Sequence, residues 1–175
     1  MKRYEVLICG FGGQGVIFAG KLLGHTAGLA GLETAQSASY GSEARGSACH
    51  AGVVLASEQI GYPKVNNPDL LIAMSQEGYD KFYDKVKPGG MIVFDCDLVK
   101  TTAIEGVERA GYQATKIATD LGKRNIANVL LLSIAASLGG FVTKEALIQA
   151  LENNSPSAFK EINLKALAVG FRMGQ

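Results

Sequence analysis

Tryptophan is absent from this 175-residue chain, proline occurs four times, cysteine three times and histidine twice. Cys9, Cys49 and Cys96 stand about 40 residues or more apart with no Cys-x-x-Cys, so no zinc knuckle or iron–sulfur cluster can be built locally. An odd number of thiols on or beside apolar stretches reads as reduced cysteine in a cytosolic protein. Charge of one sign is missing too: 17 Lys+Arg face 16 Asp+Glu, leaving +1. That balance, without a basic run, excludes an extended surface for nucleic acid or anionic membrane. The longest apolar run, near Val129 to Leu138, is shorter than the roughly 18 residues that span a bilayer. The opening MKRYEVLICG has too short an apolar run for a signal peptide, with Gly10 interrupting it. The expectation is a cytoplasmic chain with neither nucleic acid nor membrane as partner. Gly-x-Ser-x-Gly, a Walker lysine and any Ser/His/Asp order in a plausible context are also lacking, so no catalytic or metal-ligating residue is nominated.

What the chain does have is 47% hydrophobic residues and 22 glycines against 19% charged residues. Its length suits one domain, residues 1–175, with a sizeable core. Val6 to Cys9 is a continuous apolar run, the pattern of a strand covered on both faces. A glycine cluster follows, and then Val16, Ala19, Leu23, Ala27 and Ala30 recur at helical spacing up to Gly31. Further strands are expected at Glu33 to Ser37, Ala48 to Ala56, Leu70 to Met74 and Met91 to Phe94. A short helix near Thr102 to Ala110 and a strand near Gln113 to Ile117 continue the alternation. Asn125 to Leu138 reads as a helix apolar on every side, and Thr143 caps the next one. Ser155 as N-cap with Pro156 behind it opens a last helix. This order predicts one Rossmann-like α/β domain: a mostly parallel twisted sheet, helices on both faces, and a helical C-terminal third.

Two segments carry chemistry. Gly10-Phe11-Gly12-Gly13-Gln14-Gly15 sits after a strand and opens a helix, where backbone N–H groups approach an anion at the positive helix end. The residues leave open a bound phosphate or carboxylate, or a packing turn with nothing bound. A nicotinamide site wants an acid at the end of the second strand, and Gln36-Ser37 stand there instead. Tyr40-Gly41-Ser42-Glu43-Ala44-Arg45-Gly46 has no hydrophobic period; it reads as a ligand or partner loop, or as a self-satisfied surface loop. Asn125 and Asn128 open the apolar helix, which is either buried within the chain or part of a subunit interface. His25 and His50 have no neighbouring acid and read as structural.

These segments, with Pro68-Asp69 and Met74-Ser75-Gln76-Glu77, occur in an order and at distances that resemble the gamma subunit of the 2-oxoacid:ferredoxin oxidoreductases. Ser47 departs from the family pattern, where a second glycine is expected. The resemblance implies an enzyme assembled with alpha, beta and ferredoxin-like delta subunits. There the companions hold thiamine diphosphate, Mg2+ and [4Fe-4S] clusters, CoA accepts the acyl group, and ferredoxin accepts the electrons. It further implies that this chain binds none of those cofactors alone, is inactive alone, and helps enclose the CoA and oxoacid approach. Gly12, Gly13, Gln14, Gly15, Tyr40, Gly41, Glu43, Arg45, Gly46, Asn125 and Asn128 are then the residues expected to line that approach. Arg45 would pair with Glu43 or a partner's acid, or meet a CoA phosphate or a substrate carboxylate. A homodimer is expected if the chain is isolated. Two alternatives remain open, a free-standing NAD-type oxidoreductase and a non-enzymatic nucleotide-binding module.

Overall fold

The computed structural model describes residues 2–39 and 48–175. Six strands form one sheet in the order β2-β3-β1-β4-β5-β6. They are β1 (Arg3–Phe11), β2 (Glu33–Ser39), β3 (Ala48–Ala56), β4 (Leu70–Ala73), β5 (Met91–Asp95) and β6 (Glu108–Tyr112). Pairings β1–β4, β4–β5 and β5–β6 are parallel, and β3 alone runs against both of its neighbours. Its insertion between β1 and β2 is the one departure from simple alternation that the sequence did not announce.

The continuous apolar runs explain the layering. Val6 and Ile8 point to one face, and Leu7 and Cys9 to the other; all are buried. The first face is covered by α1 (Val16–Leu29), α4 (Ala127–Gly139), α5 (Lys144–Asn154) and α6 (Ser157–Met173). The second face is covered by α2 (Gln76–Phe82) through Tyr79 and Phe82, with Val99 from the segment after β5. Ser75 starts α2 by accepting a hydrogen bond from Gly78 N at 3.2 Å, and Thr143 does the same for Ala146 N at the start of α5.

Helix α4 settles the question its composition raised. Val129, Leu130, Leu131, Leu132 and Ile134 are all fully buried, because the sheet lies under them and α1, α5 and α6 close over the rest. These apolar side chains of α4 are therefore covered within the chain. Helix α6 approaches α4 closely through glycine. A Cβ on Gly170 would stand 2.7 Å from both Leu130 O and Ser133 Cβ.

Three expectations fail. Residues 102–110 are not a helix and 113–117 are not a strand; instead β6 spans Glu108–Tyr112 and α3 spans Ala114–Asp120. The β-branched Thr115, Ile117 and Thr119 favour a strand on propensity, but a tertiary partner outweighs it. The buried Asp95 carboxylate accepts from Thr115 N at 2.8 Å and Thr115 Oγ1 at 2.5 Å, anchoring the first turn of α3, while Ala114 and Ala118 pack inward. Ser155 is not the cap of α6 either. Pro156 holds that position, and the Ser155 hydroxyl accepts from Asn163 Nδ2 at 3.2 Å.

His50 lies on β3 beside Phe82, their ring centroids 4.9 Å apart, and Lys81 and Lys85 stand 5.4 Å and 5.2 Å from the Phe82 centroid. Burial first, and then Lys81 and Lys85, lower the His50 pKa below its ordinary 6.5. Between the lowered folded value and 6.5 the unfolded chain binds more protons, so this contribution is whole above about 6.5 and fades as pH falls through the folded value. The urea midpoint of the wild type is expected to fall between pH 7 and pH 5, and that of His50→Gln to fall less. Gly170→Ala is expected to destabilise the chain by about 1–2 kcal/mol, overpacking outweighing alanine's better helix propensity. It would be read as a lower urea midpoint at unchanged m.

Candidate functional site

The site lies at the carboxyl edge of the sheet between β1 and β4. The connection from β1 through α1 leads to one side of the sheet, and that from β4 through α2 leads to the other. This is the topological switch point, where an open α/β sheet leaves a crevice.

The glycine turn forms the floor. Gly13 and Gly15 take positive φ of 92° and 76°, conformations that glycine adopts without strain. The other glycine roles divide sharply. A Cβ on Gly10 would meet Gln14 Oε1 at 2.6 Å, and one on Gly15 would run into the Asn128 amide. Both glycines therefore make room for side chains of this chain. Gly12 and Gly13, by contrast, have no described atom within 4 Å of the added carbon, so they are the open part of the motif.

The two amides are structural ties. Gln14 Oε1 accepts from Phe11 N at 2.7 Å, and its Nε2 donates to Met74 O at 2.9 Å, joining the turn to the end of β4. Asn128 Nδ2 donates to Gly15 O at 2.9 Å, and its Oδ1 accepts from Val129 N at 2.8 Å, joining the start of α4 to the start of α1. Both were expected to line a ligand approach. Their amide groups hold the turn, and the N-terminus of α1 carries neither an acid nor a side-chain cap in its first turn. That end of the helix remains electropositive.

Two cavities flank Gly13 and Asn125. The smaller, about 40 Å³, is lined by Gln14, Met74, Asp95, Thr115, Arg124 and Ala127. The larger, about 190 Å³, lies between the N-terminal ends of α1, α4 and α6. Its walls include Phe18, Ile126, Pro156 and Phe159, with Asn128 and Asn163 as the amides beside Asn125. Arg124 and Asn125 are exposed at the rim. Lys123 Nζ sits 3.6 Å from the Phe159 ring centre, a second cation at this edge. The sequence reading missed Arg124, Phe159 and Asn163. The basic pair Lys123-Arg124 directly before Asn125 was a usable signal, and so was an amide on the otherwise apolar stripe of α6.

Tyr40, Gly41, Glu43, Arg45 and Gly46 lie outside the described residues. Ala48 pairs with Phe11 and Ser39 with His50, so β2 ends and β3 begins at the same edge as the glycine turn. The remaining motif residues serve the fold. Asp69 accepts from Glu5 N at 2.7 Å and pairs with Lys87 Nζ at 2.9 Å, and Gln76 bridges Asp80 and the backbone of Lys100.

Chemistry by this chain's own groups is poorly provided for. Burial pushes the Cys9 thiol up to about 12, with Cys49 adding to the shift, so it is no nucleophile. Among the described residues no group of three or more His, Cys, Asp or Glu is placed to hold a metal. A nicotinamide ribose would want an acid beside β1, but β3 occupies that place and β2 lies one strand farther out. Among the described residues the crevice presents an uncapped helix start and the exposed Arg124.

Comparison with known proteins fits this reading. The family model described as pyruvate ferredoxin/flavodoxin oxidoreductase matches residues 5–173. The chain is 40% identical to the 2-oxoglutarate synthase subunit KorC of Methanocaldococcus jannaschii, over 99% of this chain and 95% of that one. The keto/oxoacid ferredoxin oxidoreductase gamma subunit from Geobacter sulfurreducens superposes with a TM-score of 0.86 at 34% identity, over 98% of each chain. The 2-oxoglutarate:ferredoxin oxidoreductase of Magnetococcus marinus, solved with 2-oxoglutarate, coenzyme A and succinyl-CoA bound, shares the fold. Its TM-score is 0.89 at 23% identity, over 99% of this chain and 31% of that one. The chain belongs to the pyruvate ferredoxin/flavodoxin oxidoreductase family and is a gamma subunit of the 2-oxoacid:ferredoxin oxidoreductase type.

Proposed function

We propose that the chain forms one wall of the CoA approach in a cytoplasmic 2-oxoacid:ferredoxin oxidoreductase, with the catalytic cofactors held by alpha, beta and delta companions. The observation that carries this reading is the open backbone at Gly12–Gly13, beside the uncapped start of α1 and the exposed Arg124. Such a surface attracts the phosphates of a passing ligand. The magnesium of the diphosphate and the clusters are assigned in this reading to the companion subunits. Thiamine diphosphate and the clusters, when bound there, supply decarboxylation and one-electron transfer to ferredoxin. This chain's residues bind and orient: Gly12 and Gly13 leave room for the anion, Gln14 and Asn128 fix the turn, and Arg124 supplies charge. Glu43 and Arg45 are proposed to complete the same rim.

2-Oxoglutarate is the first oxoacid to assay, because a relative matched along nearly its whole length is named for that reaction. The NAD-type alternative loses its support with β3 lying between β1 and β2.

The chain is expected to copurify with subunits carrying thiamine diphosphate and iron–sulfur colour, and to show no oxoacid oxidation by itself. Turnover by the lone chain, or an assembly equally active without it, would refute the proposal. Arg124→Ala in the assembly is expected to raise KM for CoA roughly three- to tenfold with kcat little changed, the mark of lost ground-state binding. A KM that does not move removes Arg124 from the binding surface.

A further inference from the structure

The two edges of the sheet are guarded unequally. At one, β6 is five residues long and carries Glu108 and Arg109. At the other, β2 is seven residues long and pairs one-to-one with β3 from Glu33 to Ser39, without a bulge. It contains no lysine and no proline, and after Glu33 every residue up to Ser39 is uncharged. Such an edge is a template for another strand unless something blunts it. Among the described residues, β3 is the one strand beside β2.

Cavities flank this strand on both faces. Ser37 and Ala38 border one of about 210 Å³ beside α1, with Ile17, Gly20 and Lys21. They also border one of about 290 Å³ with Ser39, His50, Lys64 and Asn66. The pairings Ser37–Gly52–Leu7 and Ser39–His50–Cys9 place these rows on the face that α2 covers. Glu33, six residues before Ser39, shares that face. The described lining of the 290 Å³ cavity includes Lys64 and His50 but no acid.

A second copy of the chain supplies the missing acid. Antiparallel pairing of β2 with itself, about a two-fold axis at Gln36 and perpendicular to the sheet, keeps each face continuous across both copies. All seven residues then pair: Glu33 lies opposite the second copy's Ser39, Thr34 opposite Ala38, Ala35 opposite Ser37, and Gln36 opposite itself. Each Glu33 stands at the mouth of the other copy's cavity, within reach of Lys64, and the contact is made twice. The two Glu33 carboxylates lie at opposite ends of the ladder and do not meet.

We propose that the β2 edge is a self-complementary docking surface that joins two copies of this chain into one continuous sheet, with Glu33 of each copy facing Lys64 of the other. The inference is independent of the reading of the glycine-turn crevice as a CoA approach.

The test is sedimentation equilibrium of the full chain, free of companions, at low and high salt. A dimer is expected that loosens as salt rises, because exposed charges take part in it. Glu33→Lys and Lys64→Glu are each expected to raise the dimer Kd roughly tenfold, and the two together to restore most of the affinity. Gln36→Lys sets like charges opposite each other at the axis and is expected to give a monomer with an unchanged circular dichroism spectrum. The register is read in a Cys96→Ser background, which removes the exposed native thiol. There Gln36→Cys is expected to form an intermolecular disulfide under mild oxidation and Ala38→Cys to form none. Only the residue on the axis meets its own copy within the roughly 4.4–6.8 Å between Cα atoms that a disulfide spans. A wild-type chain that stays monomeric overturns the proposal, as does a dimer indifferent to Gln36→Lys, or a crosslink through Ala38→Cys with none through Gln36→Cys. If Gln36→Cys in the assembled enzyme crosslinks to a companion subunit instead, the edge belongs to that subunit and the proposal fails.

Discussion

Two side-chain amides, Gln14 and Asn128, hold the carboxyl edge of this sheet in place. Each ends on backbone atoms of two elements: Gln14 on Phe11 and Met74, Asn128 on Gly15 and Val129. Replacing either by an apolar residue strands partly buried backbone groups at about 1–3 kcal/mol each. The glycines on either side serve those amides first. A glycine motif of this kind is usually explained by the close approach of a ligand, yet Gly10 and Gly15 are small because Gln14 and Asn128 stand where their side chains would be. Of these four, Gly12 and Gly13 alone meet no described atom.

The strands covered on both faces were legible as unbroken apolar runs, and the caps at Ser75 and Thr143 as polar residues ahead of periodic segments. Residues 102–120 were not. There the deciding interaction joins Asp95 to Thr115, twenty positions apart, and no window of local propensity contains it. The antiparallel placement of β3 escaped for a similar reason: strand order depends on which neighbours pair, while the alternation of apolar residues reports only that a strand exists. At the site, Gly13 and Asn125, two of the residues singled out from the sequence, border both cavities. Asn163 was overlooked because one polar residue on an apolar helical stripe looks like noise until the cavity it borders is seen.

Among the described residues this gamma subunit gathers no group of three or more His, Cys, Asp or Glu side chains for a metal. The fold supplies a rigid edge, an electropositive helix start and shaped space, and these cost little stability because they are made from backbone and small residues. In the proposed division of labour the reactive groups, which need strained or strongly desolvated settings, sit on the companion chains. The buried Cys9 illustrates the separation: its thiol is packed as a hydrophobe, and its raised pKa keeps it out of redox traffic.

The enclosure of α4 has a consequence for how the assembly comes together. Its leucines are covered by α1, α5 and α6 of the same polypeptide, so the core is complete before any companion arrives. For these helices association is then docking rather than folding upon contact. Its rate is set by collision and orientation, and its reversal leaves an intact protomer that can dock again.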